Sequence, residues 1–141
     1  MDATRVLTVV DESTLGLQSA ACDVLIVEDD SDLREMMAQL LALEGFTAAT
    51  TANGSEALSY LRTSATPELI LLDLMMPVMD GYEFLRAQGE DARFAAIPVV
   101  VLSALDPSRV APTGVNAFLK KPLNFDRLLE LVRSYCRSGQ R

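Results

Sequence analysis

The chain has 141 residues, of which 50% are hydrophobic and 23% are charged, and its formal net charge is −8. This length and composition are typical of one globular domain that can bury a proper core. The acidic balance argues against a general nucleic-acid surface, because phosphate contacts need clustered Lys and Arg. The sequence contains no His, which excludes His-based triads, His metal ligands and phosphotransfer from a His of this chain.

We divide the chain into an N-terminal extension at 1–22, one domain at 23–138 and a short tail at 139–141. The composition of the extension favours a mobile segment, or a start codon placed too far upstream, over a segment that docks on the domain or on a partner. The extension does not resemble a signal peptide. No apolar stretch is long enough to span a bilayer. The only two cysteines, Cys22 and Cys136, lie at opposite ends of the chain, so we expect no disulfide framework and a cytoplasmic protein.

Apolar runs alternate with segments of helical periodicity from residue 23 onward. The strands that we predict are Val24–Val27, Phe46–Thr51, Leu69–Leu72, Ile97–Leu102 and Ala117–Leu119. Helices are predicted after the first, second, third and fifth of these strands. Ser31 and Asp32 are candidate caps at the start of the first helix, and Gly45 is a candidate residue for its end. This alternation indicates an α/β domain with a parallel sheet.

Polar side chains follow four of the predicted strands. Glu28 and Asp29 follow the first strand, Asp73 the third, Ser103 the fourth and Lys121 the fifth. The carboxyl ends of parallel strands meet at one edge of the sheet, where ligands bind. If the first and third strands are neighbours, the three carboxylates repel one another unless a cation is bound. A hard divalent cation such as Mg²⁺ would relieve that repulsion.

The same set of groups is suited to phosphoryl transfer. A carboxylate can accept a phosphoryl group to form an aspartyl-phosphate, and catalysis then depends mainly on positioning and charge neutralisation. Mg²⁺, the ammonium of Lys121 and the hydroxyl of Ser103 would supply both at Asp73. Each residue alone has an ordinary explanation as a helix cap, a turn residue or an exposed lysine. Their combination at one edge favours the chemical interpretation.

Four blocks of sequence resemble the signature blocks of the response-regulator receiver domain of the CheY-like superfamily. These blocks are Val27–Asp30, Leu72–Gly81, Val101–Ala104 and Lys120–Pro122. The resemblance covers most of the chain and implies a flavodoxin-like, doubly wound five-stranded parallel sheet of order 2-1-3-4-5. It makes residues 23–138 the receiver domain.

The resemblance also implies a metal site around the phosphoacceptor, which is Asp73. Asp29 binds Mg²⁺ directly, together with Asp73 and the main-chain carbonyl of Met75. Glu28 holds the metal through water, and Mn²⁺ can substitute for Mg²⁺.

Further roles are implied on the phosphoryl side of the crevice. Lys121 pairs with the phosphoryl group, and Ser103 is the switch hydroxyl that moves toward it. Phe118 matches the aromatic residue whose rotamer reports the signalling state. Asp30 falls outside the pattern, and we expect it to be an exposed cap. Lys120 has no implied role.

The function that follows is that of a stand-alone response regulator in a two-component or phosphorelay system. It accepts a phosphoryl group from a phosphohistidine of a histidine kinase or histidine phosphotransfer protein, catalysing its own phosphorylation and dephosphorylation without being an enzyme on other substrates. The chain ends just after its last helix, so we expect no output domain. The output would be an unknown downstream protein, reached through a switched protein–protein surface, with neither nucleic acid nor membrane involved.

Two features depart from the family pattern. Residues 105–116 contain Pro107, Pro112 and Gly114, so we expect a shortened or irregular fourth helix and an altered partner face. Met75 and Leu105 occupy the positions two residues after the acceptor and two after the switch hydroxyl. Neither side chain can orient an attacking water, which predicts a phosphoryl group that lasts many minutes or longer.

Two alternatives stay open. The first is a receiver-like scaffold that signals without phosphorylation. The altered fourth helix is the feature that leaves this alternative open. The second is a phosphatase with an aspartyl nucleophile, resembling the haloacid-dehalogenase family. That chemistry needs an acid two residues after the nucleophile, and Met75 occupies this position.

Overall fold

The computed structural model describes residues 23–105 and 115–136, which form five strands and four helices. In chain order these elements are β1 (Asp23–Val27), α1 (Ser31–Leu43), β2 (Thr47–Thr51), α2 (Gly54–Thr63), β3 (Leu69–Asp73), α3 (Gly81–Gly89), β4 (Val99–Ser103), β5 (Ala117–Lys120) and α4 (Phe125–Tyr135). The predicted strands and helices are confirmed, with shifts of one or two residues at several ends.

The five strands form one parallel sheet in the order β2-β1-β3-β4-β5. The sheet is therefore the doubly wound arrangement that the family resemblance implies. In register, Val27 lies opposite both Thr51 and Leu72, and Ser103 lies opposite Lys120. This alignment brings the carboxyl ends of all five strands to one edge, so the residues that follow them come close together.

Helices cover both faces of the sheet, and each face has its own apolar core. On one face, the core includes Met37 and Leu41 of α1, Leu128 and Val132 of α4, and alternate residues of the central strands. On the other face, residues of α2 and α3, including Leu61, pack against the remaining strand residues. Because β1, β3 and β4 are buried on both faces, their sequences are almost continuously apolar, as expected for central parallel strands.

Local details correct two of the sequence-based predictions. The N-cap of α1 is Asp30, whose side chain accepts hydrogen bonds from the N–H groups of Asp32 and Leu33. Ser31 and Asp32 are thus the first helical residues and not caps, whereas the expectation that Asp30 is an exposed cap is confirmed. Gly45 follows α1 with φ +90°, a conformation that favours glycine at a helix end. The fourth strand begins at Val99 and not at Ile97.

Some expectations concern residues outside the described ranges. The described ranges leave out the extension at 1–22, the tail at 139–141, and residues 106–114 of the segment predicted to form an irregular helix. What we expect of these segments stays a prediction. Cys136 is buried at the end of α4 and is disulfide-bonded, which corrects the expectation of a chain without disulfides. The other cysteine of the chain, Cys22, lies outside the described residues. We find no helix within the described ranges with the length and apolar character needed to cross a membrane.

Candidate functional site

The carboxyl edge of the sheet gathers the three acidic residues that the sequence singled out. Glu28 follows β1, Asp29 comes next, and Asp73 is the last residue of β3, the strand paired with β1. Each of the three carboxylates has an oxygen within 4.8 Å of the others. The expected acidic cluster is therefore present, with Glu28 and Asp73 buried and Asp29 exposed at its rim.

Lys121, the residue after β5, reaches into this cluster. Its Nζ atom lies 2.8 Å from Oε1 of Glu28 and 3.5 Å from Oδ2 of Asp73. Burial lowers the pKa of Lys121, but hydrogen bonds and Coulomb attraction from the two carboxylates outweigh it, and the net pKa is raised. The ammonium therefore stays charged and neutralises part of the cluster. The neighbouring Lys120 is exposed.

Glu28 is fully enclosed, with 0% of its surface exposed, and both of its carboxylate oxygens have partners. Oε1 accepts from Lys121, and Oε2 accepts from the N–H of Asp30 at 3.2 Å. The main-chain N–H of Glu28 donates to the carbonyl of Thr51 on β2 at 3.1 Å. A buried carboxylate needs such pairing, because an unpaired one would carry a large desolvation penalty.

Asp73 lies at the bottom of the crevice and is only 4% exposed. Its Oδ1 accepts a hydrogen bond from the N–H of Met75 at 3.2 Å. Burial, and next the negative charge of Glu28, raise the pKa of Asp73 from 3.8 to about 7, although Lys121 and the Met75 N–H oppose this change. A carboxylate with such a pKa is one that a bound cation would stabilise in its ionised form.

The donor set of this cluster fits a hard divalent cation. Three carboxylates within 4.8 Å offer only oxygen ligands, and the exposed side of Asp29 leaves the crevice open to solvent. Mg²⁺ prefers few protein oxygens and keeps several waters or phosphate oxygens. The cluster could therefore bind a metal. The N–H of Met75 is directed to Asp73, whereas the role of its main-chain carbonyl as a ligand stays a prediction.

Ser103 and Phe118 lie on the far side of the crevice from β1. The Ser103 hydroxyl is fully buried and accepts a hydrogen bond from the N–H of Leu105 at 3.1 Å. The carbonyl of Ser103 accepts from the N–H of Lys121 at 2.7 Å, which ties the end of β4 to the lysine. Phe118 on β5 is half-buried and packs against the core that includes α2 and α3. The Ser103 hydroxyl oxygen therefore bonds to the main chain of the loop that follows β4.

Sequence reasoning missed one residue beside the site, Arg34 of α1. Its guanidinium donates to the carbonyl of Glu28 at 2.8 Å. Its position in the sequence could have indicated this contact. Arg34 lies three residues before Met37 and seven before Leu41, both buried on the inner face of α1, so it lies on the same face of the helix. A charged side chain at that spacing is placed toward the sheet, where it needs a polar partner.

Comparison with known proteins identifies the class of domain. A family model described as the response regulator receiver domain matches residues 24–133. The chain belongs to this family, as the sequence blocks implied, and it is a receiver domain of two-component signalling.

Individual relatives agree with this assignment. The chain is 40% identical over 116 residues to the response regulator Rre1 of Synechocystis sp., covering 79% of this chain but 50% of Rre1. It is 32% identical over 116 residues to the polar-differentiation response regulator DivK of Brucella anthropi, covering 79% of this chain and 94% of DivK. The chain thus spans about half the length of Rre1 and nearly all of DivK.

Two solved structures share the fold. The chemotaxis response regulator CheY4 of Vibrio cholerae superimposes with a TM-score of 0.76 at 29% identity, covering 82% of this chain and 98% of CheY4. The response regulator TrrA of Thermotoga maritima, solved in complex with Mg²⁺ and BeF, superimposes with a TM-score of 0.72 at 28% identity. The latter match covers 81% of this chain and 98% of TrrA.

Proposed function

We propose that this chain accepts a phosphoryl group on Asp73 from a phosphohistidine, in a Mg²⁺-dependent reaction that its own residues catalyse. The observation that carries the proposal is the position of Asp73, buried between two further carboxylates and the ammonium of Lys121. The donor would be a histidine kinase or a histidine phosphotransfer protein. The phosphorylated domain would then present a changed surface to a downstream protein.

In the transfer step, a carboxylate oxygen of Asp73 attacks the phosphorus atom of the phosphohistidine. The new P–O bond forms as the P–N bond breaks, and the electron pair of that bond leaves with the imidazole of the donor, which takes up a proton. Asp29, Asp73 and the carbonyl of Met75 would hold Mg²⁺ directly and Glu28 through water, with Mn²⁺ as a substitute. The metal would neutralise charge that develops on the phosphoryl oxygens.

Lys121 would have different ionic partners before and after phosphorylation. Without a phosphoryl group it binds Glu28 and Asp73, which keeps two buried carboxylates from facing each other unpaired. An aspartyl-phosphate would place its oxygens beside this ammonium, and Lys121 would then pair with the phosphoryl group. Ser103 would exchange its hydrogen bond from Leu105 for one to the phosphoryl group, and Phe118 would repack in response.

The rim of the crevice supports slow loss of the phosphoryl group. Met75 is 60% exposed and Leu105 is 42% exposed, so both apolar side chains stand at the solvent side of the site. Neither can accept a hydrogen bond from water strongly enough to orient it for attack. We expect the phosphorylated domain to last many minutes or longer, as radiolabel decay would measure. A half-life of seconds would contradict this part of the proposal.

Phosphorylation by acetyl phosphate tests the central proposal. Intact mass measurements with Mg²⁺ should show the addition of one phosphoryl group, which EDTA or Asp73→Asn abolishes. Asp126→Asn is the matched control, because it removes an exposed carboxylate from α4. Phosphorylation that persists in Asp73→Asn, or none in the parent with Mg²⁺, would refute the assignment.

We place the receiver domain at 23–138 and the protein in the cytoplasm, where two-component partners act. We also expect it to work as a stand-alone response regulator, on the strength of its similarity to DivK over 94% of that protein's length. Co-purification of the parent with a histidine kinase, lost in the presence of saturating beryllofluoride, would support the role as a response regulator that receives a phosphoryl group from such a kinase.

A further inference from the structure

Arg34 is tied to the main chain that carries the acidic cluster. Its Nη1 atom donates to the carbonyl of Glu28 at 2.8 Å and lies 3.4 Å from the carbonyl of Asp29. Its main-chain N–H donates to the carbonyl of Asp30 at 2.9 Å. One residue of α1 therefore contacts three consecutive residues of the loop between β1 and α1, through two different groups.

The contacts of Arg34 add to other hydrogen bonds that hold the loop between β1 and α1. The N–H of Glu28 is fixed to Thr51 on β2, and the Glu28 carboxylate is fixed by Lys121 and by the N–H of Asp30. The peptide that joins Glu28 to Asp29 is held on its carbonyl side by Arg34. The orientation of that peptide sets the direction in which the exposed Asp29 side chain leaves the main chain, because the Cβ direction follows from the backbone at its Cα.

The structure assigns to Arg34 the task of positioning the Glu28–Asp29 peptide so that the Asp29 carboxylate faces Asp73 for cation binding. This inference rests on the proposed Mg²⁺ site but goes beyond it, since Arg34 would neither bind the metal nor contact the phosphoryl group. Residues that orient metal ligands without binding the metal typically change its affinity by 10-fold to 100-fold when they are replaced.

Electrostatics and positioning predict opposite results for the loss of Arg34. The guanidinium is a positive charge close to the acidic cluster, so Coulomb repulsion alone would make Mg²⁺ bind more tightly after Arg34→Gln. If Arg34 orients the ligand loop, the same substitution weakens Mg²⁺ binding. The sign of the change therefore distinguishes the two roles without any measurement of activity.

The surroundings of Arg34 make the substitution practicable. Arg34 lines an open groove of about 300 Å³ between α1 and β2, together with Ser31, Glu35, Ala38 and Thr50. Its side chain thus borders solvent and is not enclosed in either apolar core. Arg34→Gln removes a surface-accessible group, and we expect the sheet and its cores to be retained.

Isothermal titration calorimetry with MgCl₂ tests the inference on the full chain. We expect Arg34→Gln to raise the Kd for Mg²⁺ about tenfold, and Arg34→Lys, which keeps the charge and one donor, to raise it less. Arg127→Gln is the matched control, since it removes an exposed arginine of α4 that pairs only with the exposed Glu130 among the described residues, and its Kd should equal that of the parent. Urea midpoints without metal verify that each variant is folded.

The outcomes separate this inference from the proposed function. If the parent fails to bind Mg²⁺, or if Asp29→Asn binds it as well as the parent, the proposed cation site is wrong and the inference about Arg34 is overturned with it. If both behave as expected and Arg34→Gln binds Mg²⁺ as tightly as the parent or more tightly, only the inference about Arg34 is overturned. Should Arg34→Gln not fold, a Kd of Arg34→Lys at or below that of the parent overturns it equally.

Discussion

Replacing Asp73 with Asn should stabilise the metal-free domain above neutral pH. In the folded state, burial and the charge of Glu28 raise the pKa of Asp73 from 3.8 to about 7. Each pKa unit corresponds to about 1.4 kcal/mol, so ionised Asp73 disfavours the folded state by about 4 kcal/mol at most. Asn has a similar shape and no charge. The pKa of about 7 already includes the opposing effect of Lys121, so we expect an increase in unfolding free energy of up to about 4 kcal/mol.

The pH dependence gives this prediction its sign. Well below the unfolded-state pKa of 3.8, Asp73 is protonated in the folded and unfolded states, and its ionisation contributes nothing. As the pH rises from about 4 to 7, the unfolded chain loses this proton before the folded chain does, so the folded state is progressively disfavoured. Above about pH 8, where Asp73 is ionised in both states, the difference is constant. The advantage of Asp73→Asn over the parent should therefore grow with pH and level off near pH 8.

Urea unfolding with EDTA, followed by far-UV circular dichroism across this pH range, measures the effect. Asp126→Asn, which removes an exposed carboxylate, should show the pH profile of the parent. Adding Mg²⁺ should stabilise the parent more than Asp73→Asn, because a ligand that binds only the folded state raises its stability. A stability difference that does not change with pH, or that shrinks as pH rises, would refute the reasoning.

Three further substitutions probe the residues around the crevice, each by urea unfolding at neutral pH with EDTA, and Gly81→Ala also by phosphorylation with acetyl phosphate and Mg²⁺. Val78 has φ +70° and is 82% exposed, so Val78→Gly should relieve backbone strain and raise stability by about 1 kcal/mol; a loss would show that the strain is small. Lys121→Met leaves buried Glu28 without its ammonium partner and should lower stability by about 3 kcal/mol, whereas no change would mean that Glu28 is otherwise neutralised. Gly81→Ala places a Cβ 2.7 Å from the carbonyl of Asp73 and should lower stability and the rate of phosphorylation together; an unchanged rate would count against a fixed acceptor loop.

The fold was predictable because its signals are redundant along the chain. The central strands are buried on both faces and are therefore apolar without interruption, and each ends where a polar residue begins. Parallel pairing then leaves one edge for Glu28, Asp73, Ser103 and Lys121, whatever the details of the helices. Residue types and strand ends were enough to name the groups that meet in the crevice.

Pairing and ionisation within the crevice were not predictable in the same way. Nothing in the sequence indicates that the ammonium of Lys121 lies closer to Glu28, at 2.8 Å, than to Asp73, at 3.5 Å, because so small a difference depends on the positions of side-chain atoms. The raised pKa of Asp73 depends on burial and on its distance to Glu28. Arg34 was missed because its partners are main-chain carbonyls, which are the same for every residue type.

In the proposed function, the arrangement of charges favours a cation and a phosphoryl group that act in sequence at this edge. Without either, Lys121 is the cation in contact with both buried carboxylates, and a single positive charge leaves Asp73 largely protonated below about pH 7. Asp73, holding Mg²⁺ together with Asp29, would be ionised and nucleophilic, because the cation would supply two further positive charges. Lys121 would then be free to pair with the incoming phosphoryl oxygens. Metal binding would therefore both activate the acceptor and release the lysine that the product needs.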